Sequence, residues 1–303
     1  MPTLPEQRRG FLVAGTVRAM PPAMKTFLML ASALWVLEGC AQREVSPPRV
    51  QPQASRIVSL IPSLTEDLFA IGAGPQVIGV DQIANYPPAV RRLPKVSSFS
   101  TIDTERIVRL HPDVVVGIPA QARLTTPLRS AGIRTVFLSD DSFDDIFRDL
   151  KELGKLSGHS KEARIVSNRL RARTAHLQAT AHFSRAVRCF VVLATNPIIT
   201  VGKGSYIARL IELAGGRNTA DGLLQPYGSY SPEVLLRLQP DLLITERQTH
   251  LQDVLQGEPW RSLGAVGRKH VYFMDPPDVL FRPGPRYNEG LSWLIARFKQ
   301  ITS

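Results

Sequence analysis

The chain has 303 residues, 44% of them hydrophobic and 21% charged, a balance that excludes a disordered chain and leaves room for two ordinary domains. Its formal net charge is +11. No Lys/Arg run is interleaved with aromatics, which argues against nucleic-acid binding. The densest basic stretch, Lys161 to Arg188, has the spacing of one long solvated helix.

The first informative element is an apolar run, Thr26 to Leu37, preceded by Lys25 and closed by Glu38-Gly39-Cys40. A basic residue, a short apolar core and a small residue before a break define an export signal over residues 1–39. Met24 offers an internal start. The run is shorter than the roughly 20 residues that a membrane span needs. Arg8-Arg9 superficially matches a twin-arginine signal, but Arg18 and Pro21-Pro22 interrupt the apolar stretch behind it. Leu37-Glu38-Gly39-Cys40 resembles a bacterial lipobox, with Glu38 in place of the usual small or apolar residue. This predicts lipidation at Cys40, and Ala41 after it carries no inner-membrane retention signal. Residues 40–55, rich in Pro, Gln and Ser, then read as a lipid anchor and flexible tether. With Cys40 lipidated, Cys189 is left alone in an apolar run and reads as a buried structural thiol.

Strands and helices alternate after the tether. Strands are predicted at Arg56–Leu60, Val77–Val80, Val114–Val116 and Arg134–Leu138. Between the first two, Ser63-Leu64-Thr65-Glu66 has the form of a capping box opening a helix that ends near Gly72. No strand signal occurs from Asp141 to about Ser184, and Ser160 to His182, free of Pro and Gly, reads as one long connecting helix. Strand signals return at Cys189–Leu193, Leu242–Thr245 and Val271–Phe273. Such alternation gives an α/β fold with parallel sheets.

The second half partly repeats the first. Glu105 to Val116 can be laid on Glu233 to Ile244 with Glu, Arg, Leu, Pro and Asp at identical spacing, each copy a helix, a Pro-Asp turn and a buried strand. Ser63 to Gly72 matches Ser205 to Gly215 more loosely. The expected organisation is an N-terminal lobe over 56–140, a connecting helix region over 141–184 and a similar C-terminal lobe over 185–303.

Ile57-Val58-Ser59-Leu60-Ile61-Pro62-Ser63-Leu64-Thr65-Glu66, Asn85-Tyr86-Pro87-Pro88, both Glu…Pro-Asp motifs, Leu213 to Asn218 and Arg282-Pro283-Gly284-Pro285-Arg286 resemble, in that order, the periplasmic cobalamin-binding and iron-siderophore-binding protein family. The likeness runs from about Arg56 to the C-terminus. It implies two α/β lobes bridged by one rigid helix and a monomeric solute-binding component of an ABC importer, whose partners are the permease and ATPase. The Tyr-Pro segment and the Arg-rich motif resemble the cobalamin branch most. That branch implies an aromatic-lined cleft, with Tyr86, Phe99 and Tyr227 at the matching positions. It also implies docking on permease arginines through Glu105 and Glu233, one per lobe.

The loops expected at the carboxyl ends of the strands are rich in aromatics and prolines and poor in clustered acids, suited to a large, flat, partly apolar ligand such as a corrinoid. Tyr230 joins the aromatic candidates, and Arg282 and Arg286 are candidates for pairing a ligand phosphate or carboxylate. Two alternatives keep the fold: a haem carrier using Tyr86, Tyr227 or Tyr230 as axial ligand, or a ferric-siderophore carrier. A ligand-sensing lipoprotein is a third. The six histidines are scattered, which argues against a free-metal receptor. Gly202-Lys203-Gly204-Ser205 lacks the rest of a phosphate-loop motif, and neither a nucleophile elbow nor a zinc-protease motif occurs, so no catalytic role or cofactor is expected.

Overall fold

The computed structural model describes residues 53–303 with the exception of Phe99. The export signal, Cys40 and nearly all of the tether lie outside the described residues.

Five short strands, β1 (Ile57–Ser59), β2 (Val77–Asp81), β3 (Lys95–Ser97), β4 (Val114–Gly117) and β5 (Arg134–Phe137), form one parallel sheet in the order β3-β2-β1-β4-β5. Every residue of β1 and β4 is buried, because helices cover both faces and the apolar runs have no polar face to show. The helices of this lobe are α1 (Pro62–Ala70), α2 (Thr104–Arg109) and α3 (Thr126–Ser130). Helix α1 begins two residues earlier than a capping box with Ser63 at the N-cap would place it. Pro62 occupies its first turn, Ile61 precedes it without a side-chain cap, and the Ser63 hydroxyl is buried with no partner. The expected capping box is therefore not formed, and Glu66 is free for another role.

Two helices follow, α4 (Asp145–Ser157) and α5 (Ser160–Gln178), broken by Gly158 at φ +83°. In the C-terminal lobe, β6 (Val187–Val191), β7 (Ala194–Thr195), β8 (Ile198–Val201), β9 (Gly216–Asn218), β10 (Tyr227–Ser229), β11 (Leu242–Thr245) and β12 (Val271–Phe273) make two sheets. The parallel one runs β12-β11-β6-β9, and β10-β8-β7 forms a small antiparallel sheet beside it. The helices of this lobe are α6 (Tyr206–Leu213), α7 (Pro232–Leu238), the single-turn α8 (Leu251–Val254), α9 (Gly264–Gly267) and α10 (Asp278–Phe281), and the long α11 (Tyr287–Thr302).

The repeat seen in the sequence is a repeat of structure. Reading β6, β9, β11 and β12 against β1, β2, β4 and β5 gives the same order and the same parallel pairing. The two Pro-Asp turns do the same work. Asp113 accepts the Arg56 backbone N–H at 2.9 Å, and Asp241 accepts that of Arg188 at 2.8 Å. The Arg56 guanidinium donates to the Leu110 carbonyl and that of Arg188 to the Leu238 carbonyl. Each turn therefore ties the end of a helix to the start of the lobe's first strand. His111 and Gln239, before the two prolines, both sit in the left-handed region, at φ 46° and 47°. The looser match holds in part: Ser205 caps α6 through the Ala208 N–H at 3.1 Å, whereas Ser63 does not cap α1.

The lobes share a core. One apolar cluster runs from Ile57 and Val116 of the first sheet, through Leu150 and Leu170 of the connecting helices, to Val191, Ile244 and Phe298 of the second lobe. Helix α5, about 28 Å long, buries Ala163, Val166, Leu170, Thr174 and Leu177 on one face. It is joined to α11 by the Thr174 and Tyr287 hydroxyls at 2.6 Å and by Asn288 donating to the Leu170 carbonyl at 3.0 Å. Phe143, Phe147 and Tyr287 pack edge to face at the same junction. A continuous core of this kind resists wide hinge opening.

Candidate functional site

In each parallel sheet the chain winds outward from its first strand in one direction and then reverses, between β1 and β4 and between β6 and β11. Clefts form outside the carboxyl ends of strands at such reversals. A cavity of about 510 Å³ lies there, with walls from both lobes. Leu60, Ile61 and Pro62 come from the turn after β1, Asp81 and Ile83 from the end of β2, Gln121 and Asp140 from beyond β4 and β5. Glu246 follows β11, and Pro276 to Pro283 follow β12. Gln121 is fixed by donating to the Leu60 carbonyl at 3.0 Å and accepting the Ile118 N–H at 3.2 Å.

The lining is acidic, which corrects the expectation of loops poor in clustered acids. Asp81, Asp140, Glu246 and Asp278 all reach the cavity, and Arg282 is the cation among its lining residues. Burial pushes the Asp81 carboxyl up, against the Ile83 N–H and the Ser97 hydroxyl that it accepts at 2.9 and 3.2 Å. Burial and then the neighbouring Asp141 push Asp140 up to about 6. Burial and then Asp278 raise Glu246. These carboxyls came from the ends of apolar strands or from turns, where a single acid carries no pattern that sequence reading can seize.

Of the two predicted arginines, Arg282 lines the cavity and Arg286 is not among its lining residues. Arg282 and Arg286 both grip Glu66 of α1, Arg282 at 2.6 Å and Arg286 through two bonds of 2.8 and 2.9 Å. The Glu66 side chain is 2% exposed, and those of the arginines 11% and 12%. Arg282 also pairs with Asp278 at 2.8 Å, and Asn85 bridges Arg282 and Asp278 at 3.0 and 2.6 Å. This buried network crosses from the first lobe to the second. It engages both guanidiniums internally, so neither stands ready as a free anion site. Glu66 was hidden in the sequence because its S-x-x-E setting read as a cap.

The aromatic candidates separate. Tyr86 follows the cleft residue Asn85, is 43% exposed, and has Arg286 stacked at 4.0 Å from its ring centre. Tyr227 keeps its ring 39% exposed. Burial of its phenol, then the charges of Asp140 and Asp141, push it up to about 12. Tyr230 packs its ring on Phe190 at 5.4 Å, against a satellite core of the second lobe, and none of Tyr86, Tyr227 and Tyr230 is among the residues that line the cavity. Phe99 lies outside the described residues. Glu105 and Glu233 occupy matching positions in the first turns of α2 and α7, each after a capping side chain: Asp103 accepts the Arg106 N–H at 2.9 Å and Ser231 that of Val234 at 3.3 Å. Both are exposed, Glu105 beside Arg109 and Glu233 held by the Ser231 hydroxyl. Cys189 is fully buried, and burial pushes its thiol up. Among the described residues, no cluster of three or more His, Cys, Asp or Glu is arranged to hold a metal ion.

Two parallel-sheet lobes bridged by helices, with an open cleft at the strand ends of both, define a two-lobe solute-binding protein. The chain belongs to the periplasmic binding protein family, whose sequence profile matches residues 57–277. It is 28% identical over 248 residues to the vitamin B12-binding protein of Vibrio parahaemolyticus, covering 81% of this chain and 90% of that one. It is 27% identical over 257 residues to YvrC, an ABC transporter substrate-binding lipoprotein of Bacillus subtilis, covering 81% and 80%. Its fold matches the crystal structure of the periplasmic vitamin B12 binding protein BtuF of Vibrio cholerae, with a TM-score of 0.70, 28% identity and coverage of 82% and 98%. It also matches the periplasmic heme-binding protein RhuT of Roseiflexus, with a TM-score of 0.73, 26% identity and coverage of 82% and 100%.

Proposed function

We propose that this protein captures a corrinoid, cobalamin in the first instance, between its lobes and hands it to an ABC importer. Kinship with vitamin B12-binding relatives brings the ligand class, and the acid-lined cleft chooses within it. Haem presents carboxylates and ferric siderophores present anionic oxygens. Either would face Asp81, Asp140, Glu246 and Asp278 with Arg282 already engaged by Glu66, and like charges at short range repel. A corrin periphery carries amides instead, whose N–H groups donate to carboxylates and carbonyls. Tyr86 and Tyr227, exposed on opposite lobes, supply aromatic faces for the ring system.

Titration calorimetry with cyanocobalamin beside haemin and a ferric siderophore tests this reading. One-to-one binding of cobalamin, weakened at least tenfold by Tyr86→Ala with Tyr227→Ala, is the expected result. Uptake of haemin or siderophore with no cobalamin binding refutes the corrinoid assignment.

Delivery rests on Glu105 and Glu233, one exposed glutamate at the same point of each repeat, acting as a two-point key for arginines of a permease. Charge reversal of both, Glu105→Arg with Glu233→Arg, is expected to abolish uptake while leaving ligand affinity unchanged. Unchanged uptake removes the docking role. An exported chain held by lipid at Cys40 through residues 41–55 completes the reading, with mass spectrometry of the mature N-terminus as its check.

A further inference from the structure

The basic stretch that argued against nucleic-acid binding is not used by the cleft. It lies on the outward face of α5. Lys161, Arg164, Arg169, Arg171 and Arg173 are all exposed there, with Glu162 the one acid in the helix. Among the described residues, Lys161, Arg164, Arg169 and Arg173 take part in no ion pair, a state they share with arginines elsewhere, such as Arg91, Arg92 and Arg129; what sets them apart is their crowding on one helix. At 100° per residue the buried residues of α5 centre on one side. Opposite them runs a strip holding Ile165, 54% exposed, with Asn168 and Ala172. Arg164 and Arg171 border it on one side, the Arg171 guanidinium stacked 3.7 Å from the Phe147 ring centre, and Arg169 and Arg173 on the other, with Arg173 at the edge of a groove against Asn288 and Trp293 of α11. A small, partly apolar strip between two rows of arginines is the pattern of a helix that lies on a charged interface, with guanidiniums reaching phosphates on either side.

The entry point of the chain favours the same face. Ala54 donates its N–H to the Leu156 carbonyl at 2.9 Å, near the end of α4, and Ser160 opens α5 just beyond. That point is the amino end of β1, whereas the cleft lies beyond the carboxyl ends of the strands. The residues before Gln53 therefore join the folded part at the end remote from the cleft.

We propose that the outer face of α5 is a docking surface for an anionic phospholipid bilayer. In this orientation the protein rests with its cleft open to solvent for loading. It must leave that surface before the glutamates of α2 and α7 can face a permease.

The test uses the whole chain carrying Cys40→Ser, so that no lipid is attached, in co-sedimentation with vesicles of phosphatidylcholine alone or mixed equally with phosphatidylglycerol. Arg8, Arg9, Arg18 and Lys25 of the leader also favour anionic headgroups, so the basic face is read from the difference between two triple variants that share the same leader. The expected result is preferential binding to the anionic vesicles, lost in about 0.5 M salt. Arg164→Gln/Arg169→Gln/Arg173→Gln should weaken that binding on the order of 100-fold, at about a factor of five for each cation. Glutamine keeps helix propensity, and an unchanged circular dichroism melt shows the triple variant folded. Arg209→Gln/Arg261→Gln/Arg297→Gln removes the same charge elsewhere and should lose far less. Equal binding to both vesicles, an equal loss in the two triple variants, or retention on duplex DNA in preference to the anionic vesicles overturns the proposal.

Discussion

Removing the Glu66 carboxylate should loosen the joint between the lobes. Three hydrogen bonds of 2.6 to 2.9 Å link it to Arg282 and Arg286, and all three side chains are nearly or wholly buried. Burial alone would lower the Arg286 guanidinium, but the bonds and charge of Glu66 outweigh it and hold it raised. Glu66→Ala leaves two guanidiniums in a site that water reaches poorly, with Asp278 their remaining anion. Breaking a buried pair from one side costs about 3–5 kcal/mol. For a chain of this size that is a fall in Tm of about 6–20 °C. Glu66→Gln keeps one acceptor and should lie between. The same variants measure coupling to the cleft, because Arg282 and Asp278 line it: ligand affinity should fall with stability. The assay is a calorimetric melt with and without ligand, beside titration. If Glu66→Ala melts within about 2 °C of the parent and binds ligand as tightly, the network does not hold the lobes together and the reasoning fails.

Other outcomes follow from the buried acids. Burial, then Asp140, pushes Asp149 up to about 7, and Asp67, 1% exposed with no partner for either oxygen, is raised by burial, then by Asp149 and Glu66. At these two groups the folded chain binds more protons than the unfolded one, so their contribution to stability is fully present below the ordinary carboxylate range and is lost as pH rises toward 7. Tm should drop by several degrees between about pH 5 and pH 8, and Asp149→Asn should flatten that slope. Asp241 behaves in the opposite sense. Burial would raise it, but hydrogen bonds from Arg188 and Arg185 hold it near 2, so its contribution is lost as pH falls from about 4 to 2. Asp241→Ala should cost about 2–3 kcal/mol in denaturant unfolding, more than Asp113→Ala at the exposed twin. Asp140→Asn, which removes one cleft charge, should strengthen haemin binding roughly threefold to tenfold by titration and leave cobalamin binding nearly unchanged.

The features legible in the sequence were those with a period or a repeat. Val114 to Val116 and Leu242 to Thr245 read as strands because a strand buried on both faces needs a near-continuous apolar run, and Val271 to Phe273, a half-buried edge strand, read as one from its β-branched and aromatic residues. The Pro-Asp turns read twice because Asp113 and Asp241 meet the same geometric need in each lobe. Strands β3 and β9 were missed because Lys95-Val96-Ser97 and Gly216-Arg217-Asn218 are too short and polar to announce themselves. Gly158 split the expected connecting region into two helices, since its left-handed conformation ends α4 before α5 begins. The cleft was legible in place but not in charge. Loops could be assigned to strand ends from topology alone. Which of their carboxyls point inward depends on packing between lobes more than a hundred residues apart.

The duplication explains why the two ends of each lobe differ in character. The turns at Asp113 and Asp241 close the amino side of each sheet, and they are alike because each must fasten a first strand. The glutamates at 105 and 233 ride on the same helices and inherit the same symmetry, which is what a two-point contact with a pseudo-symmetric partner requires. The cleft has no such symmetry. One lobe offers Pro62, Asp81 and Asp140, and the other Glu246, Asp278 and Arg282. A ligand that fits both walls is itself asymmetric, as a ring with unlike faces is, and it can enter in one orientation only. Glu66 crossing to Arg282 and Arg286 fixes the spacing of those walls, and the apolar core through α4, α5 and α11 keeps it fixed. The carboxyls that line the cleft are thus held in place by the same pairing that holds the lobes.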